Sequence, residues 1–423
     1  MTYERMLKEI KKPNQRVAQR VLQCLVVAIR PLCVDELAEV LEVDFDDADE
    51  IPRMKPDWLR EDPERALLST CPSLISIVEA PVDFCFPRAQ IVQFSHSSVK
   101  EFLTSSRLAT ASGEVSNYHI DSEPAHTTLG QACLSVLLQV QDNNGGKAGM
   151  RHPLARYAAE YWMAHAQFGK VWSRLRKGIE YLFDANKPHF RAWIRVYNID
   201  SLHLPEDSTF YQFALYLKSP AAPLYYAALY GLYDLVEYLI AKNPQDVNAD
   251  GGRYVRPLVA ALAGEHFQTA DLLRHNGADL EFRGRDGSSP LHGAAYSGNR
   301  EVVRKLIEYD PANINVRDPS GWTPLFSASA GKYFKDGSAL RLLLEHGADV
   351  NSRDQHHDTP LHRATGYEAL EVVRLLLEFG ADLEAKNRFG ETALQLARRI
   401  GLEAVWREQG IRLVKLLREH GAK

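Results

Sequence analysis

Ser289-Pro290-Leu291-His292-Gly293-Ala294-Ala295, followed by Val302-Val303-Arg304-Lys305-Leu306-Ile307, decides how this chain is built. The pattern returns as Thr323-Pro324-Leu325-Phe326 and as Thr359-Pro360-Leu361-His362, with weaker copies on both sides. The Pro-Leu step falls at Pro223, Pro257, Pro290, Pro324 and Pro360, and Ala393 takes the proline's place in the last copy. The spacings are 34, 33, 34, 36 and 33 residues. A fixed period near 33 marks a stack of one supersecondary unit, each copy burying its apolar face against its neighbours. Proline suits the first turn of each leading helix, where its missing N–H is not needed. Ala227-Ala228 and Ala294-Ala295 let neighbouring helices approach, and Leu343-Leu344 and Leu376-Leu377 are expected to bury between copies. Gly-Ala-Asp at 277–279, 347–349 and 380–382 should end the second helix, the glycine taking the left-handed conformation. The spans 280–286, 350–355 and 383–389 then form projecting fingers.

Thr-Pro-Leu-His at this period resembles the ankyrin repeat. The resemblance implies about six units over 219–423, an α-solenoid whose fingers and leading helices offer a concave surface to a protein ligand. Pro220, Tyr254 and His357 stand where other units have a finger glycine, so the first two units read as a degenerate cap. From Pro324 to Gly347 there are three more residues than from Pro360 to Gly380, which lengthens the turn near Gly331 to Gly337. The last unit, Ala393 to Gly421, is longer by eight and holds Trp406.

Composition sets the outer limits. The chain has 423 residues, 45% hydrophobic and 25% charged, which is globular and long enough for two or three domains. Net charge is −5, so no basic excess draws the whole chain to nucleic acid or an anionic membrane. The opening MTYERMLKEIKK has no apolar core of a secretory leader, and apolar runs such as 21–29 are too short to span a bilayer. The five cysteines, Cys24, Cys33, Cys71, Cys85 and Cys133, form no Cys-x-x-Cys pair. They read as buried free thiols of a reducing, cytoplasmic compartment.

The first half reads as follows. A short charged helix over 3–12 breaks at Pro13, and Asn14 is placed to cap a helix over 15–29. Arg30-Pro31-Leu32 is a turn, and VDELAEVL with Leu37, Val40 and Leu41 is a helix. A further helix is expected over 63–71, strands over 74–80 and 91–95, and a helix over 97–108. Helices plus a two-stranded ribbon describe a winged-helix-like α+β module over 1–120. Residues 121–218 read as a helical connector with helices over 129–140, 153–168, 171–183 and 190–197. Its Trp162, Trp172 and Trp193 are expected in a core rather than a ligand cage. The fold class is therefore mainly α: winged-helix-like module, helical connector, ankyrin solenoid.

Arg30-Pro31-Leu32 with Asp35-Glu36-Leu37-Ala38, and Phe94-Ser95-His96-Ser97-Ser98-Val99-Lys100-Glu101-Phe102-Leu103, resemble the winged helix that follows the NACHT nucleotide-binding domain in fungal NOD-like receptors. Tyr3-Glu4-Arg5-Met6-Leu7 is similar to the segment that ends the helical part of that domain. The resemblance covers about 1–125 and implies signal transduction of the innate-immune kind. It also implies that His96 contacts the β-phosphate of ADP when a NACHT domain is present in a longer parent or a partner. The chain carries no Gly-x4-Gly-Lys-[Ser/Thr] phosphate loop; Gly145-Gly146-Lys147-Ala148 lacks the first glycine and the magnesium-binding hydroxyl. It therefore reads as a truncated relative or a fragment without its own NTPase, and no cofactor of its own is expected.

Other chemistries are weak. His96 could simply cap the helix after it. The 34–41 helix carries Asp35, Glu36 and Glu39, and an acidic helix repels the phosphates a DNA-binding winged helix must neutralise. His356-His357 with Asp354 and Asp358 sit on a finger turn, where adjacent histidines do not converge on one metal ion. His292 and His362 belong to Thr-Pro-Leu-His and are expected to tie neighbouring repeats. No Gly-x-Ser-x-Gly, His-Glu-x-x-His or paired-carboxylate pattern points to an enzyme.

The expectation is a soluble, non-enzymatic recognition protein: the sensor and regulatory half of a NACHT-type receptor, or alternatively a free-standing ankyrin adaptor, or a DNA-binding regulator. Partner-binding residues are Arg283, Arg285, Trp322, His356, Arg388 and Phe389, since aromatic and arginine side chains anchor binding hot spots. Trp322 and Phe389 could equally pack on a neighbouring finger. The expected partners are a protein ligand at the fingers and a NACHT domain at the winged helix, with neither nucleic acid nor membrane.

Overall fold

The computed structural model describes residues 2–45, 53–54, 62–71, 73–80, 89–140, 152–197, 221–252, 254–280, 283–284, 287–330, 337–400 and 407–422. The chain forms two compact units, Met1–Pro223 and Leu224–Lys423.

The first unit opens with α1 (Thr2–Lys8) and α2 (Gln15–Val27). Asn14 occupies the cap position of α2 without a side-chain cap bond, and Ala28 turns extended at ψ 132°. The helix thus stops at Val27, short of the expected Ile29, as the chain prepares for Pro31. There follow β1 (Leu32–Cys33), α3 (Val34–Leu41), a ribbon of β2 (Val43–Asp44) with β3 (Arg53–Met54), α4 (Pro63–Thr70), β4 (Ile75–Glu79) and β5 (Gln90–Phe94). β5 is central and antiparallel to both neighbours: Val92 faces Leu32 on one side and Ile77 on the other. Helix, strand, two helices and a hairpin in that order form a winged helix. α5 (Ser97–Leu103) and α6 (Ser106–Ala109) replace the single helix expected over 97–108. The break comes at Ser105, whose hydroxyl accepts the Leu108 N–H and restarts the helix.

Its core is apolar and tight. Ala18, Val21 and Leu22 of α2, Leu37 and Val40 of α3, Leu67 of α4, and Val92 of β5 are all buried. Truncating any of these leucines to alanine removes about 2–5 kcal/mol of stability. Arg30-Pro31-Leu32 acquires a physical reading here. The Arg30 guanidinium donates to Glu36 at 2.9 Å, and Glu36 also accepts the Cys33 N–H at 2.8 Å. One buried carboxylate therefore locks the turn onto α3.

The connector belongs to this same core. α7 (Ser122–Leu137), α8 (Ala155–Ala166), α9 (Val171–Leu182) and α10 (Pro188–Val196) pack together. α7 starts seven residues before the expected Leu129, because Pro124 lies in its first turn, where a proline removes no helical hydrogen bond. Small and apolar side chains cover most of its circumference, and it touches α2, α3, α8, α9 and α10. Trp162 and Trp193 are fully buried, with ring centroids 5.7 Å apart, and the Trp193 indole donates to the Ala159 carbonyl. These aromatics are core. The thiols of Cys24, Cys33, Cys71 and Cys133 are free and buried. Cys85 and the Gly145-Gly146-Lys147 stretch lie outside the described residues.

The second unit is an ankyrin stack. Its helix pairs are α11 (Pro223–Leu229) with α12 (Tyr233–Lys242), α13 (Pro257–Ala263) with α14 (Phe267–His275), and α15 (Pro290–Ser297) with α16 (Arg300–Tyr309). They continue as α17 (Pro324–Ser329) with α18 (Ser338–Glu345), α19 (Pro360–Gly366) with α20 (Leu370–Glu378), and α21 (Ala393–Ile400) with α22 (Arg407–Glu419). Gly277, Gly347 and Gly380 end their helices at φ of +84° to +88°. Two side chains stitch successive copies. The imidazole of His292 accepts the Ser289 N–H at Nδ1, which leaves Nε2–H to donate to the Trp322 carbonyl of the next copy. His362 repeats this with Thr359 and Glu391. Asn315 likewise spans to the Gly347 carbonyl and the Asp349 N–H, and Asn351 to those of Gly380 and Asp382. In the degenerate second finger, left-handed φ falls at Gly252 and Val255, on either side of Tyr254. Pro220, most of the Gly331 to Gly337 turn, and Trp406 lie outside the described residues. No described helix is long and apolar enough to cross a membrane.

Candidate functional site

Three fingers are tight turns closed by one side chain, and the finger at Gly284 closes through backbone alone. Asp318 Oδ1 accepts the N–H groups of Ser320 and Trp322, both at 2.8 Å. Asp354 Oδ1 does the same for His356 and Asp358, and Asn387 for Phe389 and Glu391. Each turn also needs one left-handed residue. Gly287, Gly321 and Gly390 supply it at φ +76°, +80° and +73°, and His357 supplies it at +57°. The fingers then join one another: Gln355 N–H donates to the Ser320 carbonyl, and Arg388 N–H to the His356 carbonyl. The result is a rigid ribbon of backbone that fixes where outward side chains stand.

On that ribbon His356, Arg388 and Phe389 come together. Arg388 donates to His356 Nδ1 at 3.0 Å and lies 4.6 Å from the Phe389 ring centroid. Phe389 is 68% exposed, the most exposed of the large apolar side chains described. Trp322, one finger before His356 and two before Phe389, is half-buried. Its ring stacks under the Arg363 guanidinium of the next copy at 4.5 Å and leans on Phe326 of its own at 5.2 Å, so it packs across the seam between two copies. Arg283 is exposed, and Arg285 lies outside the described residues. Reading the sequence alone overlooked Arg363. It follows His362 directly, at a variable position of the leading helix, and only the comparison of successive copies marks that position as facing the fingers.

Asp354 and Arg363 hold a further oddity. The Asp354 carboxylate is buried with Oδ2 unpartnered, 3.9 Å from Arg363, whose Nε is also unpartnered. The two charges offset each other across that gap. Among the described residues, no group of three or more His, Cys, Asp or Glu is placed to hold a metal ion.

His96 stands at the cap of α5. Its Nδ1 accepts the Ser98 N–H at 3.2 Å and lies 2.7 Å from the Ser98 hydroxyl, which is in turn 2.7 Å from the Tyr3 hydroxyl. With Nδ1 accepting, the neutral ring carries its proton on Nε2, and the residue is exposed. The arrangement caps a helix and leaves one donor facing outward.

The acidic helix α3 needs a different account from the one its sequence invites. Glu36, Glu39 and Glu42 are buried, and only Asp35 is exposed. Glu39 accepts from the Leu154 N–H at 2.7 Å and pairs with His152 at 2.8 Å, so the connector covers it. The helix in the recognition position of a helix–turn–helix is α4, which exposes Arg65, Leu68 and Ser69. One arginine on that face is little to set against duplex phosphates.

Comparison with known proteins finds matches to the winged helix and to the repeats. Residues 3–115 match the family described as "GPI inositol-deacylase, winged helix domain". Residues 257–354 match "Ankyrin repeats (3 copies)", 343–397 match "Ankyrin repeats (many copies)" and 221–249 match "Ankyrin repeat". The azaphilone pigments biosynthesis cluster protein L of Monascus ruber is 30% identical over 291 residues, 66% of this chain and 59% of that protein. Alpha-latrocrustotoxin-Lt1a of Latrodectus tredecimguttatus is 31% identical over 30% of this chain and 9% of its own length. The probable 26S proteasome regulatory subunit p28 of Saccharomyces cerevisiae is 30% identical over 31% of this chain and 58% of its own. The chain thus spans less than two thirds of each of these three relatives.

Proposed function

We propose that this chain is a non-catalytic protein-recognition module whose ankyrin fingers hold a protein ligand. The observation that carries the reading is Phe389, 68% exposed on a backbone-locked finger and flanked by Arg388 and His356. A lone exposed phenylalanine is ordinary, but one set beside arginine on a rigid ribbon has the composition of an interface anchor. Trp322 belongs to the support of that surface through its stack with Arg363. The ankyrin matches support protein interaction as its general role.

The winged helix gives the reading its finer form. Its resemblance to the NACHT-associated type, and the match of residues 3–115, support a sensor and regulatory part of a cytoplasmic, fungal NOD-like receptor. There His96 would present Nε2–H to a nucleotide phosphate held by a NACHT domain. The single exposed arginine of α4 and the burial of α3 speak against DNA as the ligand. A free-standing adaptor would use the same fingers without the nucleotide partner.

Placing a photo-crosslinking amino acid at position 389, at position 96 or at position 304 on the outer helix α16 tests this in the source cells. The reading expects a discrete protein adduct at 389, an adduct to a NACHT domain at 96, and none at 304. An adduct at 389 alone leaves the adaptor standing. Adducts spread equally over 389 and 304 contradict recognition by the fingers.

A further inference from the structure

Counting back seven residues from the last three Pro-Leu steps, the fingers carry Arg283, Arg317 and Arg353, and the final finger, counted from Ala393, carries Lys386; the degenerate second copy has Asp250 at this place, paired with its own Arg256. All four cations of the fingers are exposed. The next position holds Gly284, Asp318, Asp354 and Asn387, and the acids there are not free to neutralise the ladder. Asp318 and Asp354 turn inward and spend their carboxylates on the finger's own N–H groups. Glu391 is taken by Arg399 at 3.0 Å. Arg283, Arg353, Lys386 and Arg388 form no ion pair among the described residues, and Arg317 donates only to backbone carbonyls. At these two adjacent finger positions the cations stand outward, while Asp318 and Asp354 are turned onto the finger's own backbone.

We infer that the finger ribbon binds an extended acidic segment of another protein, its carboxylates meeting Arg283, Arg317, Arg353 and Lys386 and an apolar side chain resting on Phe389. The inference deepens the reading of the fingers as the recognition surface and rests on it. Charge complementarity selects the partner. Arginine offers paired N–H groups to a carboxylate, and the Arg388 plane is already held by His356 and Phe389, so little freedom is lost on binding. A nucleic acid fits less well. Asp279, Asp349 and Asp382 stand exposed along the same units, and a continuous phosphate chain meets them as well as the cations. A peptide can set neutral residues opposite those aspartates and carboxylates opposite the cations.

The test is a display library of random peptides, about 15 residues long and roughly 50 Å when extended, selected against the full chain. The enriched peptides are then synthesised with a fluorescent label. The expected winners are rich in Asp and Glu, and they bind about tenfold more weakly to the Arg353→Glu/Lys386→Glu variant at an unchanged unfolding temperature. The milder Arg353→Gln/Lys386→Gln variant, expected to weaken binding about threefold, serves if the reversal unfolds the unit. Winners of neutral composition that lose binding only with Phe389→Ala overturn the acidic partner and leave finger recognition intact. A single-stranded RNA that binds where no peptide does, and is lost in the reversed variant, overturns both. Failure to enrich any peptide that these variants weaken likewise overturns the inference.

Discussion

His357 shows how far single residues can be read. Its place in the period equals that of Gly287, Gly321 and Gly390, and its φ of +57° meets the demand that this place makes. A non-glycine residue in the left-handed region carries about 1–2 kcal/mol of strain. Glycine would relieve it and lose about 0.5–1 kcal/mol through the freer unfolded chain. His357→Gly is therefore expected to stabilise the chain by up to about 1 kcal/mol, read as a shift in the urea midpoint. A destabilised variant would mean that the imidazole makes contacts worth more than the strain. Trp322 was less legible. Nothing in its neighbourhood of sequence announces Arg363, which comes from the next copy and turns an apparent anchor into a packed one. The acids of α3 mislead for the same reason: sequence records their charge, whereas their burial depends on Leu154 and His152 more than a hundred residues away.

At the scale of elements, periodicity carried the reading. The leading helices α15, α17 and α19 begin at their Pro-Leu steps because proline and a capping Ser or Thr define the first turn, as Thr359 does for α19. Boundaries failed where a local signal was ambiguous, at Ser105 and at Pro124. The seam between α7 and α8 was not legible at all. There His165, wholly buried, accepts or donates to Tyr157 at 2.9 Å through Nε2 and to His126 at 2.8 Å through Nδ1. Burial first, and then the neighbouring His126, hold the His165 imidazole down to about 3 from its ordinary value near 6.5. The unfolded chain takes up that proton as pH falls below about 6.5 while the folded chain refuses it. The stability from neutral His165 is thus complete above about pH 6.5 and is lost progressively towards pH 3, at up to about 1.4 kcal/mol per pH unit. Burial lowers His126 in the same sense. Unfolding free energies measured between pH 7 and pH 4.5 should fall less steeply for His165→Gln than for the parent, by roughly one proton. Equal slopes would place the acid sensitivity elsewhere.

For the whole molecule, two units that differ in kind are joined in one chain. The repeat unit is quasi-one-dimensional, so each copy's role could be read from its period. The first unit is a packed body in which a winged helix and its following helices share the core around α7, and only a resemblance of motifs, not a period, pointed to its kind. The proposed role of the chain is to hold another protein on its fingers. Once a partner has been recovered by crosslinking at position 389, its affinity for the purified chain tests that claim most directly when compared between the parent and the Arg388→Ala/Phe389→Ala variant. The account predicts a loss of about 2–4 kcal/mol, thirtyfold or more, with an unfolding temperature that stays put, because both side chains project from the ribbon into water. An unchanged affinity, or a loss matched by a fallen unfolding temperature, would contradict it.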